Sequence, residues 1–415
     1  MQHHPVVIIG AGIAGLTCAT YLYRKTVPFI LIESSEQVGG RVKTDRINGF
    51  QLDRGFQVFL TSYPEAKKVL DYEELRLQAF RSGAIVRQNN KSFQLVNPLK
   101  EPLAAVSDLF SPVGTLADKI RILRFAAGLS SKKDEDIFNQ TAVSTYDYLK
   151  KYGWSEQIID NFFKPFFGGV FLERELITSS NFFEFVFKQF AVSDATLPMK
   201  GIQAIPEQLA AKLPVEVIRK GITVKGLENN KIYLSNGEVL VADFIVLAAD
   251  ATPAAQLQGK DQHIPFNNTS CMYFEAPLSP LQTPMLVINS DRNNLINNFC
   301  VPSDIASAYA PAGKSLISVS IIKQHTYSDE QLNEKVINEL TQWFGSQVNE
   351  WNHLKTYHIP QALPSFRPGD NAAKNLKISE SMFRCGDYTA YPSLNAAMQT
   401  GREVASMVAE RVGGL

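Results

Sequence analysis

Three glycines, Gly10, Gly12 and Gly15, and a carboxylate 18 positions past the last of them, Glu33, have the spacing of a phosphate-binding turn with a ribose acceptor. Gly10 would make the tight turn, Gly12 would let a pyrophosphate approach the backbone, and Gly15 would let a helix pack close to its strand. That helix, opening at Ile13 and Ala14, would turn its free N–H groups toward the phosphate. Glu33 would accept from a ribose 2′-hydroxyl and would repel a 2′-phosphate, which argues against NADP and leaves FAD and NAD open. A second glycine pair, Gly39-Gly40, precedes Arg41. Only glycine lets backbone amides lie against a ligand, and a guanidinium offsets phosphate charge.

The elements that must hold these residues are legible around them. Val6 to Ile9 is a continuous apolar run, as in a strand buried on both faces of a parallel sheet, and His3 and His4 are expected to lie outside it. A helix is expected from Ile13 to about Arg24, then a strand over Phe29 to Ile32 that delivers Glu33 at its end.

Val38-Gly39-Gly40-Arg41, followed by Phe50, Leu52, Asp53 and Gly55, resembles the motif of the flavoprotein superfamily that contains flavin amine oxidases, protoporphyrinogen oxidases and phytoene desaturases. The resemblance implies FAD, held non-covalently, with the glycine pair along its pyrophosphate, Arg41 beside it, and Ser34 and Gly55 in the cofactor set. Phe383-Arg384-Cys385-Gly386-Asp387 and the stretch from Pro392 to Ala397 resemble the same family's closing motif. There Gly386 and Asp387 would meet the ribityl and pyrophosphate region. Ser393, Leu394 and Asn395 would open a helix, running to about Val412 with Ser393 as N-cap, whose partial positive charge faces the flavin. Between these ends, Val215 to Ile218, Ile222 to Val224, Lys231 to Leu234 and Val239 to Val241 read as short strands, with a turn at Asn236-Gly237, leading into a buried strand over Ala242 to Ala249. The resemblance places adenine near Val217.

The fold class implied is α/β: a Rossmann-like FAD-binding domain (1–55, 200–256 and 366–415) interleaved with an α+β substrate domain (56–199 and 257–365), the two-domain plan of amine oxidases and GDI-like proteins. The length, 415 residues, suits two cores better than one.

Composition narrows the partners. Lys plus Arg equals Asp plus Glu, 41 each, so no global field draws nucleic acid or an anionic membrane. The four cysteines, Cys18, Cys271, Cys300 and Cys385, lack CxxC spacing and read as structural thiols of a reducing compartment. The six histidines form no metal motif, so no metal is expected. With neither a signal peptide nor a long apolar run, the chain is expected in the cytoplasm, with peripheral membrane contact left open.

The substrate half begins with a hairpin over Phe80 to Val96 that turns at Asn89-Asn90. Helices are expected over Leu103 to Phe110, Thr115 to Ala127 and Ser144 to Tyr152. Ten of the 26 phenylalanines then fall between Phe162 and Phe190, in a stretch that resembles the phytoene dehydrogenase-like branch. Such a wall suits a large apolar substrate, and equally fills a helical core. The chemistry implied is dehydrogenation of a lipophilic substrate, a polyene or tetrapyrrole precursor, by hydride transfer to flavin N5, with oxygen or a quinone as acceptor. Amine oxidases of the superfamily carry a lysine near N5 on a strand that corresponds to Thr269 to Phe274, where Ser270 or Cys271 stands instead; Lys314 or Lys323 would be its replacement from another strand. An amine oxidase is therefore the second reading, and a non-catalytic GDI-like binder of prenyl or lipid groups the third. Candidate reactive side chains are Tyr388 and Tyr391, placed to flank the ring, and His358, an acid or base in the extended return Tyr357 to Pro364.

Overall fold

The computed structural model describes residues 2–97, 100–101, 103, 111–259, 264–322, 325–372 and 375–413. Its first sheet runs, edge to edge, Ile218–Arg219, Phe29–Ile32, Gln2–Ile9, Val239–Leu247, Lys231–Leu234 and Val224–Glu228, with Met382–Arg384 also paired to Val239–Leu247. The central pairings are parallel, and two runs from the middle of the chain close one edge as an antiparallel meander. The helix Ile13–Arg24 and the C-terminal helix Leu394–Val412 cover one face, where Val6, Ile8, Leu16, Leu22, Val404 and Val408 form one core. The two helices approach so closely that a Cβ on Gly401 would lie 2.4 Å from the Ala14 carbonyl oxygen.

Several expectations about these strands are corrected. The first strand begins at Gln2, so His3 and His4 belong to it, paired with Val241 and Ala242; His3 also bonds Asp243 at 2.9 Å. Val239 to Val241 and Ala242 to Leu247 are one nine-residue strand, not two. One of its edges runs parallel to Gln2–Ile9; the other pairs antiparallel with Lys231–Leu234 and then parallel with Met382–Arg384, so the strand changes partners midway on that edge. Val215–Val217 is a single 3-10 turn, and only Ile218–Arg219 pairs as strand. The strand expected to open at Ile222 spans Val224–Glu228.

The second sheet is Asn352–Pro364, Phe266–Ala276, Ser315–Ile321, Asn298–Cys300, Leu286–Asn289, Gly83–Gln88 and Lys91–Val96 in spatial order. The Gly83–Val96 hairpin turns at Asn89 and Asn90, whose φ values of 48° and 59° are what a two-residue turn needs to follow strand twist. Alternation sorts this sheet's faces. Met272, Phe274, Val319 and Ile321 pack against Leu332, Val336 and Leu340 of the helix Asp329–Phe344, so the intervening residues Cys271, Tyr273, Ser318 and Ser320 face the other way. On that inner side lies a helical layer: Leu116–Ser130, capped by Thr115 with Asp118 in a capping box; Thr145–Tyr152, capped by Ser144; and the phenylalanine-bearing helices Lys164–Phe171 and Ser180–Val192. The helix expected over Leu103 to Phe110 falls, apart from Leu103, outside the described residues. No helix among the described residues is long and apolar enough to cross a membrane.

Candidate active site

One cavity of about 1310 Å³ runs from the glycine turn at the first sheet to the inner face of the second. At its nucleotide end, Gly10, Gly12, Ile13, Ala14, Glu33, Ser34, Gly39, Gly40 and Arg41 all border it. Local hydrogen bonds explain the shape. The Gly10 amide donates to Ile32 O at 2.8 Å, and the Gly39 amide to Ala11 O at 2.8 Å, which lays the glycine pair against the first turn. Gly40, at φ 60°, has its Cβ position 3.3 Å from Gly12 Cα, so side chains on these two glycines would fill the cradle that a pyrophosphate needs. Gly15 does not border the cavity; a Cβ there would stand 1.9 Å from Gly10 O, so its role is helix-to-turn packing. Glu33 accepts from the Ala11 amide at 2.7 Å and from the Ser35 amide and hydroxyl at 2.9 Å, which fixes the carboxylate where a ribose would approach.

Arg41 is tied by the chain itself. Its guanidinium donates to Asp387 at 2.6 Å, to Asp250 at 3.1 Å and to the Ala362 carbonyl at 3.2 Å. Burial works against its charge, but the two carboxylates outweigh burial and hold its pKa above the ordinary value. Burial also raises Asp250, which Arg41 opposes and Asp387 reinforces. Asp250 escaped the sequence reading; the signal was an acidic residue three places past a buried strand, at the carboxyl edge of the sheet where ligands of such folds sit.

The middle of the cavity is bordered by Gly55, Gly386, Asp387, Tyr388, Ser393 and Leu394. Ser393 caps the last helix by accepting from the Ala396 amide at 3.0 Å, so that helix turns its amide end into the cavity, where it favours negative charge. Asp53, two residues before Gly55, stays outside. Its carboxylate accepts from Thr44 Oγ1 at 2.5 Å, Ile202 N at 3.0 Å and Tyr309 OH at 2.8 Å, and burial pushes its pKa up to about 6 against those bonds.

Four sequence candidates are not brought to the chemistry. Tyr391 is 4% exposed, stacked on Phe138 at 4.3 Å, with its hydroxyl accepting from Asn395 Nδ2 at 3.0 Å; Asn395 in turn accepts from the Glu65 amide. Both residues serve the core beneath the last helix, so Tyr388 and Tyr391 do not form a pair across a flavin. Val217 lies off the cavity, and the chain reaches Glu33 through the Arg219 carbonyl, 2.9 Å from the Glu33 amide. His358 borders the cavity, but it pairs with Ser270 on the face that carries Met272 and Phe274. Its ring is held by Ser270 Oγ at 2.9 Å and Asp329 at 2.7 Å, which fastens the helix Asp329–Phe344 to the sheet and engages both ring nitrogens.

The lysine question resolves in part. Ser270 faces the outer helix and Cys271 the inner side, Lys314 is paired with Glu275 at 2.5 Å away from the cavity, and Lys323 lies outside the described residues. Lys355, which the sequence reading passed over, borders the cavity opposite Tyr273.

At the far end, Phe162, Phe166, Phe167, Phe182, Phe187 and Phe190 line the cavity, while Phe163, Phe183 and Phe185 fill the core behind them. The phenylalanine stretch therefore divides between cavity lining and helical core.

A family model described as flavin containing amine oxidoreductase matches residues 13–409, so the chain belongs to that family. It is accordingly a flavin-dependent oxidoreductase whose cofactor is FAD, and the glycine cradle fits that group. Among curated relatives, the coproporphyrinogen III oxidase of Bacillus subtilis (strain 168) is 24% identical over 60% of this chain and 60% of its own length. The 15-cis-phytoene desaturase of Capsicum annuum is 22% identical over 98% of this chain and 78% of its own. Among solved structures, a putative protoporphyrinogen oxidase from Exiguobacterium sp. 255-15 superposes with a TM-score of 0.73 at 16% identity, covering 99% of both chains. A putrescine oxidase bound to putrescine gives 0.70 at 14% identity, over 99% of this chain and 100% of its own. At these identities the structural likenesses speak for the fold alone.

Proposed function

We propose that this oxidoreductase dehydrogenates a large lipophilic substrate of the polyene or tetrapyrrole-precursor class, with oxygen or a quinone as electron acceptor. The observation that carries the reading is the cavity's phenylalanine-lined limb, continuous with the flavin site and large enough to hold an extended apolar body beside the cofactor. Bound FAD supplies the hydride acceptor. The chain's own residues do the rest: Phe166, Phe187 and Phe190 exclude water and orient the substrate, and the amide end of the last helix favours the negative charge that reduction develops. Cys271 in place of a lysine on the inner strand weighs against amine oxidation, the second reading.

Substrate would arrive from a lipid surface. On the helix Leu116–Ser130, Leu116, Ile120 and Leu123 are 58, 47 and 40% exposed, and Ile120 and Leu123 border the cavity as well, so the same helix forms the cavity wall and an apolar outer stripe.

The deciding experiment is anaerobic reduction of the flavin-loaded protein, followed by loss of its visible absorbance. A polyene or a porphyrinogen should bleach it; bleaching by an amine from a broad panel, with neither lipophilic class active, would overturn the ranking.

A further inference from the structure

The apolar limb ends on an unexpected floor. On the inner face of the second sheet, Ile288, Asn298, Ser320, Cys271 and Tyr357 form one row across five neighbouring strands, each paired in register with the next. Asn298 and Ser320 both border the cavity, at 5 and 4% exposure. Among the described residues the polar neighbour of the Ser320 hydroxyl is the Cys271 thiol, a weak partner that leaves it without a hydrogen bond of ordinary strength, and no side-chain hydrogen bond joins the Asn298 amide to any of them. Thr269, which also borders the cavity, spends its proton on the Ile321 carbonyl at 3.0 Å and keeps an acceptor lone pair free. Facing this patch, Gly169 leaves room for two neighbouring amides: a Cβ there would stand 2.7 Å from Asn297 Nδ2 and 3.0 Å from Asn298 Nδ2. Phe166, three residues earlier on the same helix face, borders the cavity beside it.

A hydrocarbon resting here would bury an amide with nothing to bond and a hydroxyl with only a thiol beside it, which buried polar groups rarely tolerate. Charged groups fit no better. The nearest cations on this sheet face along the strand order, Lys91 and Lys355, are each three strand spacings from Asn298, about 14 Å, and no carboxylate stands in the row to meet an ammonium. We propose that the ligand of this cavity carries an uncharged hydrogen-bonding group, a hydroxyl or a carbonyl, and that Asn298 and Ser320 bind it and so select oxygenated lipophiles over pure hydrocarbons. This rests on the lipophilic reading above and narrows it.

The test is binding, not turnover. The flavin-loaded protein is titrated with geranylgeraniol and with the C20 hydrocarbon that lacks its hydroxyl, and perturbation of the flavin spectrum is recorded. The alcohol should bind about tenfold tighter or more. Ser320→Ala should erase most of that preference and leave hydrocarbon affinity unchanged. Asn298→Ala, which removes the amide and adds no bulk, should do the same, so the test survives if Asn298→Leu fails to fold. Equal affinity for the two probes in the parent protein, or a preference that survives both variants, overturns this inference alone. Failure of both probes to bind overturns the lipophilic reading and the inference with it.

Discussion

At the scale of the residue, the glycines of the cradle separate into two kinds with opposite consequences. Gly12 has φ −73°, which any residue adopts, and the only atom among the described residues within reach of its Cβ position, its chain neighbours aside, is Gly40 Cα at 4.0 Å. Gly12→Val should therefore fold and yet fail to retain FAD, giving a colourless protein with parental circular dichroism. Gly15→Ala drives a Cβ into Gly10 O and should lower stability by about 1–3 kcal/mol, seen in a denaturant titration. Asp53 makes a prediction of another sort. With its pKa raised to about 6, the folded protein binds that proton more tightly than the unfolded chain does. The stability it contributes is full below about pH 4 and is lost as pH rises through about 6, an effect of about 3 kcal/mol for two units. Asp53→Asn should remove that slope; if the stability difference between variant and parent stays flat from pH 4 to 6, the carboxyl is not protonated as argued. Cofactor-side glycines are legible in sequence because their constraint is on the backbone and only one residue type meets it. The tyrosines and His358 were not, because which way a side chain faces depends on the partner that holds it: Asn395 for Tyr391, and Ser270 with Asp329 for His358.

At the scale of the element, the same contrast holds. Asn89-Asn90 announces a hairpin because two adjacent positive φ values are a local demand. The nine-residue strand Val239–Leu247 reads as two because its hydrophobic pattern changes where its pairing changes, and pairing is a tertiary fact. Likewise His3 and His4 look too polar for a buried strand, yet they extend one at its solvent end, where the sheet continues beyond the core. The helix Leu116–Ser130 carries the prediction of this scale. Replacing Leu116, Ile120 and Leu123 together by Ser should weaken association with phospholipid vesicles by about tenfold or more, from the apolar area no longer buried. Flavin content should not change. Undiminished vesicle binding would mean that the stripe serves another partner.

At the scale of the whole molecule, the chain crosses repeatedly between its two sheets, and the cavity lies where the crossings converge. The first sheet draws strands from residues 2–32, 218–247 and 382–384, and the second from 83–96, 266–321 and 352–364. Arg41 gathers this scattered chain at one point, joining residues 250, 362 and 387 to the glycine turn. Arg41→Met would strand two carboxylates beside each other; it should lower the melting temperature and reduce FAD retention together, where Gly12→Val affects retention alone. Arg41 and Asp387 are 346 positions apart. The glycine fingerprint is therefore complete long before the chain supplies the carboxylate that closes the tie behind it. A chain cut short of Asp387 would carry the nucleotide motif without the ion pair that secures it.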